Sequence, residues 1–140
     1  MSVKSKTFFD TNILFYLLSE DSAKAQRAED LIGEGGVISV QVLNEFASVA
    51  ARKLRMSIAE IRECLEPIRL SCSIEPVTVE THACGLDVAE RCGVSIYDSM
   101  IIAAALLAGC NTLYSKDLQD GQRIDRLLIR NPFASLDGEE

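Results

Sequence analysis

Five acidic side chains are spaced along the chain in a way that could bring them together. Asp10 stops the β-prone run Thr7-Phe8-Phe9, and Asp117 and Asp120 follow a second such run, Thr112-Leu113-Tyr114, by a few residues. Asp98 stands in the first turn of an apolar helical pattern, and Glu45 about one turn into another. If the two runs are parallel strands, they deliver carboxylates to one edge of a sheet, where open α/β sheets gather their functional groups. Carboxylates crowded there repel one another and raise some of their pKa values unless a cation sits among them. Magnesium and manganese are hard cations that take such all-oxygen sites, which offer zinc no nitrogen or sulfur. An ion so held activates water and steadies a phosphate, the chemistry of phosphodiester cleavage. Singly, each acid also has an ordinary reading. Asp10 and Asp98 suit a helix cap and first turn, Glu45 a solvated helix face, and Asp117 a turn. The acids carry meaning as a set.

The elements that must position them follow from spacing. After Asp10-Thr11-Asn12, residues 13 to 18 read as a short helix, and Ala25, Ala28, Leu31 and Ile32 mark a second over 22 to 33, ended by Gly33, Gly35 and Gly36. Val37 to Ser39 is a short buried strand, followed by a helix from about Gln41 to Leu54. Ser57 and Glu60 form a capping box for a helix striped by Ile58, Ile61, Leu65 and Ile68. Ile74 to Val77 is a weak strand, demoted by Pro76. Thr78 caps a helix ending at Gly93, and Ser95 with Asp98 repeats the capping pattern before the apolar run to Ala108. A polar turn around Gly121 separates the Thr112 strand from a last strand at Leu127 to Ile129. Short apolar strands alternating with helices predict an α/β fold, its parallel sheet covered on both faces. No linker divides the chain, so residues 1–140 read as one domain, with 137–140 a frayed tail.

Composition excludes several classes of function. The chain has 140 residues, 48% of them hydrophobic and 25% charged, too apolar for disorder and ordinary for a globular domain. Its longest apolar run, Met100 to Ala108, is far short of the ~20 residues a spanning helix needs, and no cleavable leader is evident. A cytoplasmic location is therefore expected. Five cysteines without a two-residue spacing read as reduced, small apolar residues rather than disulfide or zinc partners. The lone His82 removes any mechanism needing two imidazoles and reads as a helix surface residue. A net charge of −7 argues against simple nucleic-acid binding, though bound divalent metal can reverse the local charge.

Four blocks in this order resemble a known family. They are Asp10-Thr11-Asn12 after a strand, Asn44-Glu45 in a helix, Tyr97-Asp98 opening an Ile/Ala-rich helix, and Tyr114-Ser115-Lys116-Asp117-Leu118-Gln119 after a strand. Together with Asn131-Pro132-Phe133 they are similar to PIN-domain nucleases, and within these to the VapC-type toxins of bacterial toxin–antitoxin pairs. The resemblance covers nearly the whole chain. It implies a three-layer fold around a five-stranded parallel sheet, and an endoribonuclease that uses Mg2+ or Mn2+. It matches Asp10, Glu45, Asp98 and Asp117 to the family's acidic quartet, and Asp120 to an occasional fifth acid. Thr11, Asn12 and Ser115 match residues that orient those carboxylates by hydrogen bonds. It further implies an RNA substrate, a homodimer and a protein antitoxin whose tail would occupy the acidic groove. One position departs from the pattern: Lys116 stands where the family commonly has an acidic or polar residue, either as an exposed turn lysine or as a phosphate contact.

Two other readings compete. A phospho-accepting receiver domain is also a small acidic α/β protein that binds magnesium. It needs two adjacent acids after the first strand and an acceptor Asp after a middle one, whereas here Asp10 stands alone and Ser39 ends the second strand. A degenerate PIN-like module that only binds RNA or a partner is the alternative to turnover. Basic residues gather at Arg52, Lys53 and Arg55, and at Arg123, Arg126 and Arg130. Spacing alone assigns none of them to substrate.

Overall fold

The computed structural model describes residues 6–137. Its centre is a sheet of β1 (Thr7–Phe9), β2 (Gly36–Ser39), β3 (Cys72–Glu75), β4 (Thr112–Tyr114), β5 (Arg123–Ile124) and β6 (Leu127–Arg130), in the order β3-β2-β1-β4-β6-β5. The helices are α1 (Thr11–Phe15), α2 (Ser22–Gly33), α3 (Val40–Lys53), α4 (Ile58–Ser71), α5 (Val79–Cys92) and α6 (Ile96–Leu107). Five strands run parallel, as expected. Adjacent residues on a strand face opposite ways. Phe8 and Phe9 of β1 are both almost fully buried, as are Val37 and Ile38 of β2, so both faces of the sheet are covered. Burying each of these phenylalanines contributes roughly 2–3 kcal/mol.

Three expectations need correction. The sheet has a sixth strand: β5 pairs antiparallel with β6 through only two residues, beyond the expected turn at Gly121. Its hairpin closes at Asp125, whose φ of 54° is the left-handed conformation that tight hairpins require and Asp tolerates. Two residues are too few to leave an alternating pattern. The third strand lies two residues earlier than expected, because Pro76 has no N–H for the ladder and pairing ends at Glu75. The helix expected over 13 to 18 begins at Thr11, capped by Asp10, and tightens into a 3₁₀ turn over Tyr16–Leu18.

The cap signals hold. Ser57 and Glu60 exchange both bonds of a capping box, Thr78 caps α5, and Gly93 ends it at φ 69°. At α6 only half of the box forms. The Ser95 hydroxyl accepts from the Asp98 N–H at 3.1 Å, and the Asp98 carboxylate is not tied back to the Ser95 backbone. Ser99 to Ala105 of α6 are all buried, which makes this the central helix and fixes its N-terminus against the sheet edge. Gly36 lets β2 approach β1: a Cβ there would lie 2.6 Å from the Phe9 ring and 2.9 Å from the Thr7 carbonyl oxygen. The five cysteines are all unpaired thiols, and His82 is exposed on α5. Asp137 closes a final 3₁₀ turn, and the rest of the tail expected to fray, 138–140, lies outside the described residues. Among the described residues, no helix is long and apolar enough to cross a membrane.

Candidate active site

The register of the sheet brings two acids to one edge. β1 and β4 are parallel neighbours, with Phe9 opposite Tyr114, and the Asp10 N–H donates to the Tyr114 carbonyl at 3.0 Å. Asp10 therefore leaves β1 where the chain of Ser115, Lys116 and Asp117 leaves β4. α3 and α6 contribute Glu45 and Asp98 from the side. All four carboxylates line one open cleft of about 360 Å3, together with Thr11 and Asn12.

Hydrogen bonds link these residues across four elements. Asp10 accepts from the Thr11 N–H at 2.7 Å on one oxygen and from the Ser115 hydroxyl at 2.8 Å on the other. The Thr11 hydroxyl donates to Glu45 at 2.6 Å. Asn12 donates to Asp117 at 3.2 Å and accepts from the Lys116 N–H at 3.0 Å, which ties the turn after β4 to the start of α1. Thus Thr11, Asn12 and Ser115 each bond an acid of the quartet. Asp120 is not brought there. Its carboxylate accepts from the Asn131 N–H at 2.9 Å and lies 3.8 Å from Arg130, on the β6 side of the turn. The half-buried Lys116 is fixed through its backbone to Asn12.

Gln41 went unnoticed in the sequence. Its amide donates to Glu45 at 2.9 Å and to the Tyr97 carbonyl at 3.1 Å, so it joins α3 to the first turn of α6 beside Asp98. The i, i+4 spacing of Gln41 and Glu45 was the available signal. Arg52, two turns after Glu45 on α3, also lines the cleft.

Electrostatics follow burial. Asp10 is only 7% exposed, and burial pushes its carboxyl up to about 6. The Ser115 and Thr11 hydrogen bonds pull it back down, and the charges of Asp98 and Glu45 push it further up. Asp98 is raised too, first by burial, then by Asp117 and Glu45, against the lowering effect of the Ser95 hydroxyl. Mutually repelling carboxylates thus gather on an all-oxygen donor set, which suits a hard divalent cation. Among the described residues, no three acids already stand close enough to grip an ion as they are. The oxygens of Asp10 and Glu45 are turned to Thr11, Ser115 and Gln41.

Comparison with known proteins bears on the fold. The chain resembles in fold a toxin–antitoxin complex from Klebsiella pneumoniae, with 20% identity, 91% of this chain and 98% of that one covered, and a TM-score of 0.69. FitAcB from Neisseria gonorrhoeae is 19% identical over 91% of this chain and 98% of that one, with a TM-score of 0.66. VapC20 of Mycobacterium tuberculosis, described as a sarcin–ricin loop cleaving toxin, is 22% identical over 80% of this chain and 90% of that one, with a TM-score of 0.64. Comparison with curated protein sequences gives no match. The model of the PIN domain family matches residues 7–127, from the first residue of β1 to the first residue of β6 and across every acid in the cleft. The chain belongs to the PIN domain family.

Proposed function

We propose that this protein is a metal-dependent endoribonuclease and the toxin of a toxin–antitoxin pair. The observation that carries this reading is the convergence of Asp10, Glu45, Asp98 and Asp117 on one open cleft at the carboxyl edge of the sheet. A magnesium or manganese ion held by Asp10, Asp98 and Asp117, with Glu45 directly or through water, would supply positive charge to the phosphate and acidify an attacking water. The chain's own residues set the conditions for this. Ser115 and the Thr11 N–H hold Asp10 in one orientation and favour its ionised form. Thr11 and Gln41 fix both oxygens of Glu45. Asn12 keeps Asp117 within reach of the centre.

Two surfaces support partners. An apolar groove of about 300 Å3, lined by Leu14, Leu17, Leu18, Ile32, Phe46 and Ile68, suits an amphipathic antitoxin segment. Val79, Ile96, Tyr97 and Leu107 expose apolar area on α5 and α6, which suits a homodimer. Solved relatives in complex with antitoxins, and with promoter DNA in the Rickettsia felis protein, are consistent with the first of these. The cytoplasm is the compartment where reduced cysteines and an RNA substrate coincide.

Calorimetric titration of manganese into the wild type and an Asp98→Asn variant tests the reading. Binding in the wild type that weakens at least tenfold in the variant is expected. Cleavage of an RNA panel by the wild type, lost in the variant, completes the test. One observation favours the alternative of a binding module, namely that no three acids stand at gripping distance as they are. RNA binding without metal uptake or turnover would establish that alternative.

A further inference from the structure

The acidic cleft poses a problem for a polyanionic substrate, since a strand entering it meets four carboxylates on a chain of net charge −7. Something adjacent must hold the phosphates that flank the scissile one. The neighbouring strand end carries a cavity of the opposite character. At the carboxyl ends of β4 and β6 a pocket of about 290 Å3 is lined by Arg27, Tyr114, Arg130, Asn131 and Ser135, with no acidic side chain in its wall.

Its two arginines come from distant parts of the chain. Arg27 is exposed on α2, and its Nε donates to the Pro132 carbonyl at 3.1 Å. That bond fixes the plane of the guanidinium, and among the described residues no acceptor takes its terminal nitrogens. Arg130 ends β6 and is more than half exposed, with Asp120 at 3.8 Å, a distance too long for a good hydrogen bond. Asp120 is itself engaged with the Asn131 N–H. Asp30, the acid at helical spacing (i+3) from Arg27 on α2, accepts from the Gln26 amide at 2.9 Å instead. Planar guanidinium forks present paired donors that match phosphate oxygens.

Ser115 couples the pocket to the active centre. The Ser115 N–H donates to the Arg130 carbonyl at 2.9 Å, while the Ser115 hydroxyl donates to Asp10 at 2.8 Å. β1, β4 and β6 are consecutive in the sheet, so the end of β6 lies two strand spacings, about 10 Å, from the end of β1. One or two nucleotides of an extended strand bridge that separation.

We propose that the Arg27–Arg130 pocket binds a backbone phosphate of the RNA strand next to the one being cleaved. This rests on the endoribonuclease reading and extends it with a binding subsite. Anisotropy of a short, uncleavable 2′-O-methyl RNA, titrated with protein at several salt concentrations, provides the test. Arg130→Gln has little structural role to lose, and Arg27→Lys keeps the charge while removing the fork. Arg130→Gln is expected to weaken RNA binding about tenfold and to lower the slope of log affinity against log salt by about 0.7, the value for one single-strand phosphate contact. Arg27→Lys is expected to keep the slope and lose affinity. Wild-type affinity and slope in Arg130→Gln, with the wild type still cleaving RNA, would overturn the subsite and leave the nuclease standing. A wild type that neither binds nor cleaves RNA would overturn both. Loss of affinity for an acidic peptide, with RNA binding unchanged, would assign the pocket to a protein partner and overturn the proposal.

Discussion

Asp10 and Asp117 leave neighbouring strands at the same sheet edge, yet the fold treats them in opposite ways. Asp10 is buried, caps α1 and receives hydrogen bonds from Thr11 and Ser115. Asp117 is exposed in a turn, with Asn12 donating to it at 3.2 Å. Burial outweighs the hydrogen bonds at Asp10, and its carboxyl is held at about 6. One half of the site is thus built into the junction of strand and helix, while the other is displayed on its rim. The sign of the consequence follows from linkage. A carboxyl raised in the folded state contributes stability that is complete below its unfolded value of 3.8 and is lost as pH rises through about 6. At neutral pH the metal-free protein therefore carries a charge at Asp10 that works against folding, whereas Asp117 imposes no comparable burden of burial.

The largest expected effect comes from Asp10→Asn. Cleavage of RNA should fall by about 10³-fold or more in kcat/KM, measured on any RNA that the wild type cuts. The same variant should be more stable than the wild type by about 1–3 kcal/mol in metal-free urea denaturation at pH 8, since the buried charge is gone. A loss of stability instead would remove the contrast with Asp117. Next in size is the pH dependence of manganese affinity, which should rise about tenfold from pH 5 to pH 7 and flatten above, as the ion displaces the Asp10 proton. Calorimetry at each pH reads this directly. Ser115→Ala removes the hydroxyl donor and should destabilise the protein by about 1–2 kcal/mol at pH 8 while moving the pH midpoint of stability upward. The smallest effect on folding belongs to Asp117→Asn. Cleavage should drop strongly, but the unfolding free energy should stay within about 0.5 kcal/mol of the wild type.

The acids on the cleft were legible as a set, through the order of the four blocks that resemble the family, since singly each also suits a cap, a turn or a solvated helix face. Asp10 and Asp117 come just after short β-prone runs, Asp98 sits three residues after its capping serine, and Glu45 lies inside a strongly periodic helix. What those residues touch was less legible. Gln41 reaches the Tyr97 carbonyl across 56 positions, and Arg27 reaches the Pro132 carbonyl across 105, and no local pattern reports such contacts. Asp120 illustrates the opposite error. Proximity in sequence to Asp117 suggested a shared site, but the turn at Gly121 rotates it toward β6, where the Asn131 N–H takes it. β5 escaped notice because strand pairing, rather than the preference of Arg123 and Ile124, makes it a strand.

The buried thiols give the molecule a built-in reporter. Cys72 opens the edge strand β3, and Cys110 lies fully buried just before the central strand β4. Burial pushes both up to about 11, so neither forms much thiolate at neutral pH while the chain is folded. Their reaction with an alkylating reagent therefore measures how often each part of the sheet opens. Labelling at Cys72 reports fraying of the outer edge, and labelling at Cys110 reports exposure of the centre. The ratio of the two rates, followed as manganese is added, tells whether filling the acidic cleft tightens the whole sheet or only the strands that carry it.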